Sequence, residues 1–187
     1  MQRIFISVEI SENVKRFVHE HIKGLKKIQS GMRVSWVRPD KLHLTLRFLG
    51  EIEEALISRV RESVDEVAKK TPSFRLTLTK TGVFPNKKRP RVFWLGMQDY
   101  AGILPGLKKD LDERLEKIGF ESEDRIFQPH LTIARLRQAK GARDLVENHL
   151  ETVFEPIEFG VTEIAVMESR LENTGSVYTK LSGAKFK

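Results

Sequence analysis

The sequence predicts an α+β fold made of two similar lobes that are related by an approximate twofold axis. Stretches that alternate apolar and polar residues, as strands do, are interspersed with stretches that follow helical spacing. The pattern His-x-Thr occurs twice, at His43 and at His130, and the two histidines are 87 residues apart. The strands predicted around each histidine repeat with the same offset. Two lobes related in this way would bring the two His-x-Thr strands face to face.

The first half of the chain is predicted to contain three main strands and two helices. Apolar residues alternate in the strands and recur every three or four positions in the helices. In chain order, we predict a strand at Arg3–Glu9, a helix from the N-cap Ser11 to Leu25, an extended piece at Ser35–Arg38, a turn at Pro39–Lys41, a strand at Leu42–Gly50, a helix at Glu51–Lys70 and a strand at Phe74–Thr79.

The second half is predicted to repeat this order after a lobe boundary near residues 85–91, within one bilobed domain that spans residues 1–187. Glycine, proline and asparagine mark its turns. In chain order, we predict a loop at Gly82–Pro90, a strand at Arg91–Met97, a helix at Leu104–Ile118 that ends at Gly119, a strand at Phe127–Arg135, a helix at Ala142–Leu150, and strands at Gly160–Met167 and Val177–Ser182 around a turn at Asn173–Gly175.

The first His-x-Thr strand is amphipathic, and alternation assigns its side chains to two rows. The apolar row consists of Leu42, Leu44, Leu46 and Phe48, and the polar row consists of His43, Thr45 and Arg47. The second strand repeats this pattern, with His130 and Thr132 on one face. A polar row of this kind can bind an anion, although a strand whose polar face is simply exposed to solvent gives the same pattern.

The composition favours a polyanionic partner and excludes cysteine chemistry. The formal net charge is +7 and the pI is about 9.7, an excess that attracts phosphates. There is no cysteine, so the chain has no disulfide, thiolate nucleophile or cysteine metal site. No stretch approaches the roughly 20 apolar residues of a membrane span. We therefore expect a cytoplasmic protein that does not bind membranes.

Two histidines on opposite sides of a cleft suit general acid–base catalysis on a phosphodiester. Histidine titrates near pH ~6.5, so one ring can accept a proton while the other donates one. The hydroxyls of Thr45 and Thr132 can donate hydrogen bonds to phosphate oxygens, and Arg47 or Arg135 can add positive charge. This reasoning does not decide which histidine donates and which accepts the proton.

Two segments carry a resemblance to a known family. They read Pro39-Asp-Lys-Leu-His-Leu-Thr-Leu-Arg-Phe-Leu-Gly-Glu51 and Phe127-Gln-Pro-His-Leu-Thr-Ile-Ala-Arg135. Both resemble the paired motifs of the two-histidine phosphoesterases, and within that group the RNA 2′,3′-cyclic phosphodiesterases, also called 2′-5′ RNA ligases. The segments Thr81–Pro85, Pro90–Gly96 and Met167–Leu171 fit the same family, so the resemblance runs along nearly the whole chain.

The resemblance implies two antiparallel sheets with helices on their outer faces and an active site in a central groove. It implies hydrolysis of RNA 2′,3′-cyclic phosphates to 2′-phosphates by a monomer without metal or other cofactor, with tRNA fragments as one candidate substrate. The reverse reaction would form a 2′-5′ linkage. By position, His43 would be the proton donor and His130 the proton acceptor, while Thr45 and Thr132 would hold the phosphate.

The arginine of the phosphate site remains open between two candidates. The resemblance implies that this arginine is the one five places after the second histidine, which is Arg135 here. Strict alternation would turn Arg135 away from His130, so this assignment requires a bulge or the end of the strand near Ala134. Arg47 is in phase with His43 without a bulge. A surface ion pair is the alternative for each.

Other readings compete with the cyclic phosphodiesterase. The chain could be a non-catalytic module that binds RNA ends, or a metal-dependent hydrolase with both motif histidines as ligands, although two histidines without a carboxylate make a poor site. The basic segment Lys87–Arg91 either follows an RNA backbone or is a solvated loop. Phe84 and Trp94 either stack on bases or pack in the core, with packing favoured. Surface positions are expected for the remaining histidines, which are His19, His21 and His149.

Overall fold

This computed structural model describes residues 1–29, 31–123, 126–172 and 175–187. Within these residues the chain forms nine strands and four α-helices. The strands are β1 (Gln2–Glu9), β2 (Val34–Trp36), β3 (His43–Ile52), β4 (Phe74–Phe84), β5 (Val92–Gln98), β6 (His130–Leu136), β7 (Ile157–Val161), β8 (Glu163–Glu172) and β9 (Gly175–Lys185). The helices are α1 (Glu12–Ile28), α2 (Glu54–Lys70), α3 (Ile103–Lys117) and α4 (Arg143–Glu151). None of these helices is long and apolar enough to cross a membrane.

The strands form two antiparallel sheets whose strand orders match over three strands. The first sheet has the order β3-β1-β8-β9, and the second has the order β2-β6-β5-β4-β7. Apart from the short edge strand β2, each sheet starts with a histidine strand, continues with the first strand of the same sequence half, and then takes a strand from the other half. This match is expected for two lobes related by an approximate twofold axis, so the predicted α+β fold is confirmed.

The two sequence halves exchange strands between the sheets. Strand β4 comes from the first half but pairs with β5 in the second sheet, whereas β8 comes from the second half but pairs with β1. Residues 85–91 connect β4 to β5 within a single sheet. Residues 85–91, where the lobe boundary is predicted, therefore do not separate the two sheets.

Each sheet buries one face against helices. Helix α2 packs against β8, β9 and α3 on the first sheet, while α4 packs against β4 and α1 on the second. The predicted helical stripe of α1 is buried, with Val14, Val18, Ile22 and Leu25 facing inward. Burial of each such side chain contributes about 1.5–3 kcal/mol. The opposite face of each sheet carries the His-x-Thr side chains and is called the site face below.

Several boundaries differ from the sequence prediction. Strand β4 continues through Gly82–Phe84, which was expected to be loop, because these residues pair with Val92–Trp94 of β5. The single strand expected at Gly160–Met167 is interrupted at Thr162, so that β7 joins the second sheet and β8 the first. Helix α3 ends as predicted before Gly119, which has the positive φ of 103° that favours glycine. The turn predicted at 173–175 falls largely outside the described residues.

The expectation that His149 lies on the surface is wrong. Its side chain is fully buried between α4 and the second sheet, and its Nε2–H lies 3.0 Å from the carbonyl oxygen of Gly82 and 3.2 Å from that of Trp94. Carbonyls only accept hydrogen bonds, so Nδ1 of His149 is left to accept one from Nε2 of His21 at 2.9 Å. His21 is half-buried as a result, whereas His19 is exposed as predicted.

We expect this buried pair to make the protein less stable in acid. Burial, and secondarily the neighbouring His21, lowers the pKa of His149 to about 4. The unfolded chain binds a proton near pH ~6.5 and the folded chain does not, so stability is present above that pH and is lost as the pH falls towards 4. The contribution of His149 alone should lower the free energy of unfolding by about 2 kcal/mol when the pH falls from ~7.5 to ~5.

Urea unfolding of the wild type and of His149→Gln at several pH values measures this loss. The variant should be less stable at neutral pH, and its stability should depend less steeply on pH between those two values. The exposed His19→Gln serves as the control and should follow the wild-type curve. Parallel curves for wild type and His149→Gln would show that His149 does not couple folding to protonation.

Candidate active site

The two His-x-Thr strands approach each other in space, although they belong to different sheets. Strands β3 and β6 come within 8 Å of each other between Cα atoms. His43 is the first residue of β3 and His130 is the first residue of β6, so the histidines occupy equivalent positions in the two sheets. Thr45 and Thr132 lie two positions further along, on the same face as their histidines, and both are half-buried.

His43 is held by one backbone carbonyl and two aromatic rings. Its Nδ1–H donates to the carbonyl oxygen of Lys41 at 2.8 Å. The ring of Phe5 lies 4.7 Å away between centroids, and that of Tyr178 lies 5.1 Å away, edge to face. Since Nδ1 carries the proton of the neutral ring, Nε2 is the nitrogen available to exchange a proton. Burial lowers the pKa of His43, and the Lys41 carbonyl partly offsets this effect.

His130 is held in the same way in the second sheet. Its Nδ1–H donates to the carbonyl oxygen of Gln128 at 2.6 Å. The rings of Phe84 and Trp94 lie 5.1 Å and 6.1 Å from it between centroids. Burial lowers the pKa of His130, the Gln128 carbonyl raises it, and the positive charge of Arg135 lowers it further. The environments of the two histidines therefore match except for this arginine.

A β-bulge places Arg135 on the site face. Val92 of β5 pairs with Arg135 and Trp94 pairs with Thr132, so that Ile133 is the extra residue on β6. The bulge that this placement requires is therefore present, one residue before the predicted position. Arg135 is exposed and shares a face with Thr132 and His130.

The same bulge in the first sheet removes Arg47 from the site face. Ser7 of β1 pairs with Thr45 and Ile6 pairs with Arg47, which leaves Leu46 as the extra residue. The alternation that placed Arg47 beside His43 is therefore wrong, and Phe48, which is 61% exposed, occupies the site face instead.

Arg47 forms ion pairs on the buried side of the first sheet. Its Nη1 lies 3.3 Å from Oδ1 of Asp112 and 3.3 Å from Oε2 of Glu123. Nη2 also donates to the carbonyl oxygen of Glu121. Lys108, which is also buried, contacts the same two carboxylates. The surroundings of Arg47 are those of a structural residue.

Aromatic side chains line both histidines, and sequence reasoning found only half of them. Trp94 packs against Phe84 at 5.0 Å between centroids and lies on Gly82, where a Cβ atom would come within 2.0 Å of the indole. The preference for packing over base stacking fits this arrangement. Phe5 and Tyr178 were not predicted as site residues. Phe5 lies with Ser7 on the polar face of β1, and this placement is the sequence signal that could have identified it.

A family model described as LigT-like phosphoesterase matches the chain twice, over residues 8–94 and 95–178. The RNA 2′,3′-cyclic phosphodiesterase of Thermotoga maritima is 36% identical over 98% of this chain and 95% of that protein. The protein of the same name from Aquifex aeolicus is 35% identical over 91% of this chain and 86% of its own.

Solved structures agree with these matches. The crystal structure of TT0787 from Thermus thermophilus superposes with a TM-score of 0.80 and 27% identity, and it covers 98% of this chain and 97% of its own. The structure of Escherichia coli LigT complexed with 3′-AMP has a TM-score of 0.77 at 24% identity, covering 100% of this chain and 98% of its own, and supports the fold alone.

The duplicated fold and these matches define the protein as a two-histidine phosphoesterase. More specifically, the chain belongs to the LigT-like phosphoesterase family, because the family model covers most of its length. The family indicated by the motifs, its hydrolase class and the internal duplication are therefore confirmed.

Proposed function

We propose that the chain hydrolyses RNA 2′,3′-cyclic phosphodiester ends to 2′-phosphomonoesters, with His43 as proton donor and His130 as proton acceptor. The observation that carries the proposal is the matched pair of Nδ1–carbonyl hydrogen bonds at the two histidines. These bonds leave both Nε2 atoms free on strands that approach each other. The names of the relatives, RNA 2′,3′-cyclic phosphodiesterases, support the choice of substrate.

In this mechanism, Nε2 of His130 takes a proton from water as the water oxygen attacks phosphorus. The bond from phosphorus to the 3′ oxygen breaks, and that oxygen takes a proton from Nε2 of His43. The hydroxyls of Thr45 and Thr132 donate to the non-bridging oxygens, on which charge develops, and Arg135 supplies a positive charge. If a 5′-hydroxyl replaces water, the same steps in the same order form a 2′-5′ linkage.

The different charges near the two histidines support this direction of proton transfer. Arg135 lowers the pKa of His130 and so favours its neutral form, which is the form that a base requires. Among the described residues, no such cation lowers the pKa of His43. An anionic phosphate between the rings favours protonation of both, and Arg135 opposes this effect at His130.

Replacing Arg135 by glutamine tests the assignment of the base. The loss of the positive charge should raise the pKa of His130, so the acidic limb of the pH profile of kcat/KM should move to higher pH. Loss of a charged hydrogen bond to phosphate should also lower kcat/KM about 10-fold to 100-fold. Arg59→Gln on the exposed side of α2 is the matched control. An unmoved acidic limb would contradict the role of His130 as base.

The reaction itself is tested by product analysis in excess chelator. An oligonucleotide with a 2′,3′-cyclic end is incubated with the purified protein and EDTA, and the position of the terminal phosphate is determined. We expect a 2′-phosphate. A 3′-phosphate would contradict the proposed bond cleavage, whereas unchanged cyclic ends with tight binding would favour a non-catalytic module.

A chelator should have no effect, because the proposed mechanism takes its acid and its base from the protein. Within the described residues, no three histidine, aspartate or glutamate side chains group as metal ligands would. Loss of turnover in EDTA that returns with added metal would favour the metal-dependent hydrolase.

We further propose that the protein acts as a cytoplasmic monomer, because β3 and β6 of one chain supply both histidines. We also propose that tRNA fragments are among its substrates.

A further inference from the structure

We infer that the RNA leaves the site over one basic face of the second sheet, so that the protein prefers oligonucleotides to cyclic mononucleotides. The inference rests on the proposed function. The basic face consists of residues 31–41, 85–91 and 135–140 and begins at Arg135, next to the proposed phosphate site. It would contact the phosphates that lie on the 5′ side of the cyclic end.

The positive charge of the chain is concentrated in these three segments. Together they contain ten lysines and arginines and a single acidic residue, Asp40. The rest of the chain contains 23 basic and 25 acidic residues, so it has a small negative balance. The net charge of +7 is therefore a property of the basic face.

Strand pairing brings the three segments together at the C-terminal end of β6. Ser35 of β2 pairs with Arg135, and the backbone N–H of Leu136 donates to the carbonyl oxygen of Arg91 at 2.8 Å. The side chains of Lys87, Arg91 and most other cations of the set are exposed. Lys41 donates to the carbonyl oxygen of Ser176 in β9, and Lys87 and Lys88 line a cavity whose other wall includes Glu147 and Glu151 of α4. Within the described residues, the one ion pair inside the set joins Arg38 to Asp40.

The loop that carries four of these cations has its own hydrogen bonds. The side-chain oxygen of Asn86 accepts from the backbone N–H groups of Lys88 and Arg89, each at 3.0 Å. The N–H of Arg91 donates to the carbonyl oxygen of Phe84 at 2.7 Å. A loop that is ordered before binding loses less entropy when it contacts a ligand. On this inference, Lys87–Arg91 follows the RNA backbone, a role for which a loop already ordered by these bonds is suited.

In the first sheet the equivalent end of β3 is acidic, although Arg3 of the neighbouring strand β1 pairs with Glu51 there. Strand β3 ends in a segment that contains Glu51, Glu53 and Glu54, at the position where β6 leads into the basic face. A polyanion would be repelled there and attracted at the other end, over distances up to about 10 Å at ordinary salt. Since the cyclic phosphate is the 3′ terminus, every other phosphate lies in one direction along the RNA, and the charges favour the basic face for that direction.

The test compares two substrates in the triple variant Lys87→Ala, Lys88→Ala and Arg89→Ala. The substrates are 2′,3′-cyclic AMP and a ten-nucleotide RNA with a cyclic end, each measured at 50 and 200 mM salt. The matched control removes three exposed lysines on α2 and α3, namely Lys70→Ala, Lys109→Ala and Lys117→Ala. Both variants lose the same charge, so a general electrostatic effect would appear in both.

We expect the wild type and the control to favour the decamer strongly at 50 mM salt, and the triple variant to lose most of that preference. If each of the three cations contacts one phosphate, the ratio of wild-type to variant kcat/KM on the decamer should fall about 20-fold between 50 and 200 mM salt. A triple variant with the wild-type preference and salt dependence would overturn the inference, as would a wild type that cleaves both substrates equally well. A wild type that cleaves neither would instead overturn the proposed function.

Discussion

Replacing His43 or His130 by alanine is expected to lower kcat/KM for a cyclic-ended RNA by about 10²–10⁴-fold. Each ring is proposed to move one proton, so each single variant should lose one of the two transfers. Because the two transfers belong to one reaction, the double variant should lose little more than either single variant. Single-turnover rates at saturating enzyme would show that the loss is in chemistry.

Folding must be measured alongside, since both rings are half-buried among aromatic side chains. Glutamine variants at both positions keep a polar side chain of similar length and should be as inactive as the alanine variants. His19→Ala, on the exposed side of α1, is the control and should be fully active. Substantial turnover by a folded His43 or His130 variant would refute the two-histidine mechanism.

The sequence contained enough information to find this pair because the chain is duplicated. Alternation alone gives a strand with a polar row, which is common and unspecific. The recurrence of His-x-Thr at an offset of 87 residues, shared by the neighbouring strands, indicated that both rows belong to one site. The matching Nδ1–carbonyl hydrogen bonds of His43 and His130 follow the same internal repetition.

The exchange of β4 and β8 between the sheets could not be read from the sequence. The number of residues between two strands is the same whichever sheet each strand joins, so spacing alone does not assign a strand to a sheet. Strand β4 pairs with β5, its neighbour along the chain, whereas the pairing of β8 with β1 joins distant residues such as Ile4 and Glu168, a contact that spacing does not encode. The repeat therefore predicted the strands but not their distribution.

The bulge at Leu46 was predictable and was missed. The argument for Arg135 required a bulge near Ala134, and the 87-residue offset maps Ile133, where it lies, onto Leu46. Applying the repeat to the backbone as well as to the motif would have moved Arg47 to the buried face. The burial of His149 was different, because periodicity says nothing about the carbonyl oxygens that another part of the chain will supply.

Replacing Arg47 by alanine is expected to lower the free energy of unfolding by about 3 kcal/mol, because Asp112 and Glu123, which are partly exposed, lose a buried cation partner. The side chain is only 5% exposed, and both of its ion-pair partners, Asp112 and Glu123, also contact Lys108. The estimate is at the low end for a buried pair, since the side chain of Glu123 is 40% exposed and water screens part of the interaction.

Urea unfolding of Arg47→Ala and Arg47→Met separates charge from packing, because methionine retains most of the apolar stem. If the lost ion pairs cause the destabilisation, both variants should be destabilised to a similar extent, whereas the exposed control Arg59→Ala should stay within about 0.5 kcal/mol of the wild type. Activity measured where the Arg47 variants remain folded should be close to that of the wild type, because this guanidinium lies behind the sheet. A variant of wild-type stability with an activity loss of about tenfold or more would instead assign Arg47 to the phosphate site.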